Sequence, residues 1–169
     1  QSLDSTIFTA DSYTALKTVM DESSLLVQST TSTLEQFTQE LVKLDNAKKA
    51  LINVSGLKAI VDQSSTYVKD SYTNKSYTAY EASLNEAKQV LENGASTVED
   101  IEKAQSALNA AAASLVKKAD FSKLNEKVQE ASEGLESNKD MLEEESYNNF
   151  KKELDDCSLV LSNDESTQA

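Results

Sequence analysis

The sequence has no proline, tryptophan, histidine or arginine, and it has only three glycines and one cysteine. Because proline and glycine mark turns and break regular elements, their scarcity predicts long helices. A single cysteine excludes an internal disulfide, and a chain without histidine lacks the usual ligands of zinc. No glycine-rich loop that could cradle a phosphate is present. We therefore expect a helical chain with no cofactor, no metal site and no catalytic residues.

The charge is strongly one-sided, with 16 basic against 29 acidic residues and a net charge of −13. Such a surface repels phosphate backbones and anionic lipid headgroups, so neither nucleic acid nor a membrane surface is an expected partner. The chain has no apolar run of about 18 residues, the length that spans a bilayer. Membrane insertion is therefore not expected.

A short phrase recurs along the chain and indicates an internal repeat. SYTAL at 12–16 and SYTAY at 76–80 lie 64 positions apart, and STLEQF at 32–37 and STVEDI at 96–101 keep the same spacing. A third copy begins at Ser146, which is 70 positions after the second. Two motifs in one register predict a repeated structural unit of about 64 residues.

Each copy of the phrase opens an amphipathic helix, termed helix B, whose inward residues alternate three and four positions apart. In the second unit these are Tyr77, Tyr80, Leu84, Ala87 and Leu91. In the first they are Tyr13, Leu16, Met20, Ser23 and Val27, and in the third Tyr147, Phe150, Leu154, Cys157 and Leu161. Helix C follows in the first two units, and helix A precedes helix B in the last two.

Polar turns between helices B and C contain candidate caps. Ser96 or Thr97 can cap helix C of the second unit, and Ser96 and Glu99 have capping-box spacing. The first unit repeats this pattern at Ser32, Thr33 and Glu35. Gly94 suits a left-handed residue after helix B.

These patterns predict an all-α, elongated fold of tandem three-helix bundles. The expected units are 1–56 with helices B and C, 57–120 with helices A, B and C, and 121–169 with helices A and B. The outer units lack one helix each. No helix breaker lies between Thr97 and Glu133, so helix C of the second unit can run straight into helix A of the third.

The second unit resembles a known family in the stretch YTNKSYTAYEASLNEAKQVLENGASTVEDIEKAQSALNAAAASL. It is similar to the FIVAR module (found in various architectures), and the flanking units resemble it less closely. Phe8, Leu142 and Glu143 depart from the pattern. The matching residues are Tyr72, Thr73, Ser76, Tyr77, Leu84, Ala87, Val90, Leu91, Ala104, Leu108, Ala111 and Leu115.

The resemblance implies a three-helix bundle in a large secreted or wall-anchored protein of a Gram-positive bacterium. Many such proteins are multimodular glycoside hydrolases, and others are adhesins. The family pattern carries no catalytic residues that could be transferred to this sequence.

The tyrosines Tyr72, Tyr77 and Tyr80 have two readings. Their rings could stack on the pyranose rings of a glycan. Alternatively, Tyr77 and Tyr80 form the first core layer of helix B, Tyr72 closes the bundle end, and Thr73 caps the helix. Phe8 and Phe150 occupy equivalent places and carry no hydroxyl, which favours the core reading.

The expected function is that of a non-catalytic spacer or accessory module in a large secreted or cell-wall-attached bacterial protein. Its expected partners are the neighbouring modules of the same polypeptide. The alternative is an adhesion module that binds a host glycan or protein. An enzyme fragment is the third and weakest hypothesis, because it would need a deep pocket with convergent carboxylates.

Overall fold

The computed structural model describes residues 3–163 and 165–167. Within this part of the chain the fold is all-α, as predicted, and no β-strand is present. The described residues form seven α-helices: α1 (Ala10–Gln28), α2 (Leu34–Lys49), α3 (Ser55–Gln63), α4 (Asn74–Glu92), α5 (Val98–Ala113), α6 (Ser122–Ser137) and α7 (Glu144–Leu161). Short 3₁₀ turns lie at Ser5–Ile7, Ser64–Thr66, Lys69–Ser71 and Lys139–Met141.

The helix positions follow the sequence repeat. Helices α1 and α4 have 19 residues each and begin 64 positions apart, and α2 and α5 have 16 residues each with the same offset. Thus α1, α4 and α7 are the predicted B helices, α2 and α5 the C helices, and α3 and α6 the A helices. That these helices form tandem three-helix bundles remains a prediction.

The chain divides into two compact units that are interleaved in sequence. The first consists of the described residues up to Tyr67 together with Ala79–Ser114, and the second of Val68–Thr78 together with the described residues from Leu115 onward. The start of α4 therefore belongs to the second unit and the rest of α4 to the first. This division does not test the predicted boundaries at 56/57 and 120/121.

In the first compact unit, α1 packs against α2 and α3 packs against α5. Apolar side chains from these helices, from α4 and from the segment before α3 form the core, because their stripes remove apolar surface from water. The buried apolar residues are Leu16, Val54, Leu57, Tyr80, Leu84, Ala87, Ile101, Ala104 and Leu108.

The predicted stripe of α1 is only partly buried. Leu16 is 4% exposed, but Met20 is 51% and Val27 is 72% exposed. The equivalent of Met20 on α4, Leu84, is only 9% exposed. The periodicity correctly identified the helix, but it could not show whether another helix covers the stripe.

The second compact unit is built around the pairing of α6 and α7. Leu135 on α6 is buried at 5% exposure, and the Tyr147 hydroxyl on α7 donates to the Glu136 carboxylate at 2.6 Å. This hydrogen bond raises the pKa of Tyr147, since ionisation of the hydroxyl would remove its donor proton. A polar contact thus supports a small apolar core.

Of the predicted alternatives, Thr33 and Thr97 are confirmed as the caps, but the predicted capping-box pairs are wrong by one residue. Each threonine exchanges hydrogen bonds with the third residue of its helix, Gln36 or Asp100. Ser96 is 1% exposed, and its hydroxyl donates to the carbonyl of Val90 at 2.7 Å. Its hydroxyl therefore binds a backbone carbonyl at the end of α4 and does not cap the start of α5. Ser32 does the same with the carbonyl of Leu26.

The expected left-handed conformation of Gly94 is also wrong, because no described glycine has a positive φ. Gly94 instead allows a close approach to the start of α1. Its carbonyl accepts the N–H of Asp11 at 3.1 Å, and a Cβ at Gly94 would lie 3.1 Å from the Cβ of Ala10. Glycine is needed here for its missing side chain.

The predicted continuity from Thr97 to Glu133 is wrong too, because α5 ends at Ala113 and α6 begins at Ser122. The intervening backbone pairs elsewhere. The carbonyl of Val116 accepts the N–H of Thr73 at 2.8 Å, and the N–H of Lys118 donates to the carbonyl of Ser71 at 3.1 Å. Groups engaged in these long-range bonds cannot make the bonds of a continuous helix.

Candidate functional site

Tyr80, one of the three candidate ligand contacts, lies in the core of the first compact unit. Its side chain is 1% exposed, and its ring centroid lies 5.1 Å from that of Tyr67 at an interplanar angle of 57°. This tilted contact is a favourable arrangement for two aromatic rings. A ligand could reach the Tyr80 ring only if the core opened.

Tyr72 and Tyr77 are half-buried and form a stacked pair. Their centroids are 6.5 Å apart with an interplanar angle of 24°, and the Lys69 ammonium lies 6.0 Å from the Tyr77 centroid. The same cation–ring contact recurs 70 positions later in the sequence, where Lys139 lies 5.2 Å from the centroid of Tyr147. The repetition favours a structural role for the lysine–tyrosine contact.

A hydrogen-bonded clamp holds the start of α4. Thr73 precedes the helix, and its hydroxyl accepts the N–H of Ser76 at 3.4 Å, so the predicted capping role is confirmed. Its own N–H donates to the Val116 carbonyl at 2.8 Å. The Ser76 hydroxyl in turn accepts the N–H of Val116 at 3.1 Å.

The same clamp holds the start of α1, 64 residues earlier. The N–H of Thr9 donates to the carbonyl of Ile52 at 2.9 Å, and the Ser12 hydroxyl accepts the N–H of Ile52 at 3.2 Å. Isolated antiparallel bridges accompany the two clamps, Phe8 with Asn53 and Tyr72 with Lys117. Both clamps tie the start of a B helix to the segment that follows the next C helix.

The clamp was missed from the sequence, although part of its signal was visible. The pair Thr-x-x-Ser spans the start of both helices at 9–12 and 73–76. Nothing in the local pattern marks Ile52 or Val116 as the partner, because a backbone acceptor has no side-chain signature. The recurring offset was the available clue.

A cleft of about 430 Å³ lies between α4 and α5. Six of its nine lining residues are polar or charged and three are apolar: Glu86, Gln89, Val90, Asn93, Ser96, Asp100, Lys103, Ala104 and Ala107. Two of these residues, Ala104 and Ala107, are small and leave room between the helices. The mixture of amide, carboxylate and ammonium groups offers hydrogen-bond donors and acceptors to a polar ligand.

The first helix pair has charged side chains at the positions of these alanines. Glu40 stands 64 residues before Ala104, is 8% exposed, and accepts from the Ser23 hydroxyl at 3.0 Å. Lys43 stands 64 residues before Ala107, and its ammonium lies 3.1 Å from Glu40 and 3.6 Å from Glu22. The Lys43 and Ser23 hydrogen bonds lower the pKa of Glu40, and Glu40 raises the pKa of Lys43.

Other chemistry finds little support in the described part of the chain. No group of three or more potential metal ligands occurs among residues 3–163 and 165–167. Over the same residues, no helix has the length and apolar character needed to cross a membrane. Cys157, one of the predicted inward residues of the third B helix, is half-buried on α7.

The fold and the repeated clamps define a helical module with an internal repeat. The sequence model of the FIVAR domain matches residues 53–116, which contain α3, α4 and α5, so the resemblance is confirmed for this segment. Such modules occur in varied architectures, often in surface or secreted multimodular proteins. Among curated proteins and solved structures, no significant match to the chain is found.

Proposed function

We propose that the chain is a non-catalytic spacer or accessory segment of a large secreted or cell-wall-attached bacterial protein. Its partners in this role are the neighbouring modules of the same polypeptide. The FIVAR domain at 53–116 supports this proposal through the multimodular proteins in which such domains occur. A carbohydrate-active hydrolase as the parent protein is proposed from family analogy alone.

The observation that carries the spacer proposal is the repeated clamp. A spacer must transmit position along the chain, which requires that each helix pair is fixed to the segment leading into the next helix. The clamps do this at Ile52 and at Val116 with backbone and hydroxyl hydrogen bonds. Each such bond contributes about 0.5–1.5 kcal/mol.

Two carboxyl groups with a lowered pKa are explained by hydrogen bonds at helix starts. Hydrogen bonds from the backbone and hydroxyl of Thr97 lower the pKa of Asp100, and those from Ser122 lower the pKa of Asp120. Both groups are thereby held as carboxylates at helix starts.

A distance measurement on the full chain tests the spacer proposal. Dyes are attached to Lys17→Cys and Glu153→Cys in a Cys157→Ser background, since both chosen positions are exposed. A spacer gives one narrow distance distribution by single-molecule energy transfer. Ser12→Ala and Ser76→Ala broaden it, whereas Ser106→Ala on the exposed face of α5 does not. A broad distribution in the unaltered chain contradicts the proposal.

A second candidate function is adhesion to a host glycan or protein, and the α4–α5 cleft is the observation that favours it. The cleft is open at Ala107, where the first helix pair has Lys43. Ala107→Lys should therefore fill it, while Ala110→Lys adds the same charge at an exposed position outside the cleft lining.

A glycan array separates the two possible ligand surfaces. Binding that Ala107→Lys removes and Ala110→Lys retains assigns the ligand to the cleft. Binding lost in Tyr72→Ala or Tyr77→Ala assigns it to the tyrosine pair. An array without specific binding to the full chain counts against glycan adhesion.

A further inference from the structure

The α5 helix carries an A helix on one face. Leu57 of α3 is 0% exposed, and a Cβ at Gly56 would lie 3.3 Å from the side-chain oxygen of Gln105. Beside this contact, Ile101 and Leu108 on α5 are 6% and 0% exposed. The covered face of α5 is therefore a binding surface for a short amphipathic helix, and α3 fills it.

The corresponding face of the first helix pair is open. The α1–α2 face consists of Met20, Phe37, Leu41 and Leu44. These residues stand 64 positions before Leu84, Ile101, Gln105 and Leu108. Phe37 and Leu44 are half-buried where their counterparts on α5 are buried. Met20 is 51% exposed and Leu41 is 67% exposed.

The α1–α2 face is also more apolar than its covered counterpart. Leu41 occupies the position of Gln105, the residue that meets Gly56. An apolar residue in such a place favours an apolar occupant and disfavours water. The two most exposed residues of the face, Met20 and Leu41, have no ring that could stack on a sugar, and the ring of Phe37 is half-buried.

We propose that the α1–α2 face binds an amphipathic helix with the apolar pattern of α3, contributed by a further repeat of the same kind. This inference rests on the proposed spacer function and identifies one of its partners. The occupant presents the equivalents of Leu57, Ile60 and Val61 on one side, as helix-in-groove recognition requires. A second copy of this chain cannot supply its own α3, since Leu57 there is already buried.

The first test is a titration of the 15N-labelled full chain with a synthetic peptide covering residues 53–66. We expect saturable chemical-shift changes at the amides around Met20, Phe37 and Leu41, with a Kd on the order of 1 mM or tighter. A peptide with Leu57→Glu should cause no saturable change, because it lacks the central apolar contact.

Adjacent residues of α2 provide the matched variants. Leu41→Glu places a charge in the face and should weaken binding by about tenfold or more, a difference of about 1.4 kcal/mol. Val42→Glu adds the same charge at a position that is also exposed, at 56%, but lies about 100° around the helix. It should change the Kd by less than about twofold.

Joining the peptide covalently to the chain allows the weak binding to be measured without a high concentration of free peptide. The same peptide sequence joined through a flexible glycine-serine linker ahead of Gln1 has an effective concentration of about 1 mM or more. It should raise the melting temperature of the unaltered chain and of Val42→Glu, but not that of Leu41→Glu.

Three outcomes overturn the inference. One is the absence of an effect from both the free and the fused peptide. Another is an effect that Leu41→Glu and Val42→Glu alter equally. The third is concentration-dependent self-association that Leu41→Glu abolishes and the peptide does not compete with, which would identify a second copy as the occupant. In each case a narrow distance distribution between the two dyes would still support the spacer proposal.

Discussion

Tyr80 explains why the tyrosine phrase recurs along the chain. The residue is 1% exposed, and Leu16, its equivalent on α1, is 4% exposed. In the first two repeats an aromatic or aliphatic side chain at this position enters the core at the second turn of the B helix. The equivalent residue on α7, Phe150, was predicted to face inward in the same way, but it is 46% exposed. The phrase thus marks a helix start in all three repeats and a core contact in the first two. The half-buried Tyr72 and Tyr77 remain the accessible part of the predicted ligand contact.

Replacement of Tyr80 should be far more damaging than replacement of Tyr72. Tyr80→Ala removes a buried ring that contacts Tyr67 and should lower the free energy of unfolding by about 3–5 kcal/mol. Tyr72→Ala removes a half-buried ring and should cost less than half as much. Urea denaturation followed by circular dichroism measures both, and equal losses would contradict the core placement.

The clamp serines should control local opening. Without its hydroxyl, Ser12→Ala leaves the N–H of Ile52 with one acceptor fewer, at a cost of about 1–2 kcal/mol. The Ile52 amide should then exchange its hydrogen roughly tenfold faster, and Ser76→Ala should do the same to Val116. Ser106→Ala should leave both rates unchanged. If all three variants behave alike, the clamp has no specific role.

Two glycines show how packing between helices decides the effect of one methyl group. A Cβ at Gly94 would lie 3.0 Å from the Asp11 carboxylate and 3.1 Å from the Cβ of Ala10, so the start of α1 would have to move. A Cβ at Gly134, inside α6, meets nothing within 4 Å. Substitution by alanine should therefore change the free energy of unfolding in opposite directions at the two sites.

Gly134→Ala should raise the free energy of unfolding by about 0.5–1 kcal/mol, because alanine restricts the unfolded chain and favours a helix. Gly94→Ala should lower it by about 1 kcal/mol through overpacking against α1. Paired chemical denaturation curves measure the difference. Stabilisation by both substitutions would show that the turn before α5 does not contact α1 closely in solution.

The charged contact between α1 and α2 should make their pairing sensitive to acid. Lys43 and Ser23 lower the pKa of Glu40 in the folded chain, so its contribution is present above the ordinary glutamate value of about 4.3. That contribution is lost as the pH falls through the lowered pKa. Glu40→Gln should therefore reduce the melting temperature at pH 7 and should differ less from the unaltered chain at pH 3.

The control for this pH series is Glu153→Gln, at an exposed position on α7. It should give a nearly constant difference in melting temperature from pH 7 to pH 3. A constant difference for Glu40→Gln as well would show that its carboxylate does not stabilise the helix pair.

The net charge of −13 should oppose compactness of the whole chain. Salt screens this repulsion, since the Debye length falls from about 30 Å at 0.01 M to about 8 Å at 0.15 M ionic strength. The melting temperature should therefore rise by about 2–4 °C between these conditions, which corresponds to roughly 1 kcal/mol. Calcium chloride at matched ionic strength should have the same effect, and a much larger one would indicate a specific calcium site.

The all-α class, the offset of 64 residues and the FIVAR domain at 53–116 could be recognised from the sequence. Helix periodicity, the near absence of breakers and the repeated phrase are local signals that each segment carries by itself. For the candidate site, the sequence identified the tyrosines but could not tell buried Tyr80 from half-buried Tyr72 and Tyr77. Periodicity shows which residues share a face, whereas coverage of that face depends on other segments.

Only the tertiary structure decided the remaining features. Thr97 caps α5 in place of Ser96 because Ser96 turns to the carbonyl of Val90. The helix breaks after Ala113 because the next segment pairs with residues 71–73 and 76, about 40 positions away. The α1–α2 face is open because no described helix covers Leu41 as α3 covers α5. Each outcome depends on contacts between distant segments, and such contacts leave no periodic mark on the residues that make them.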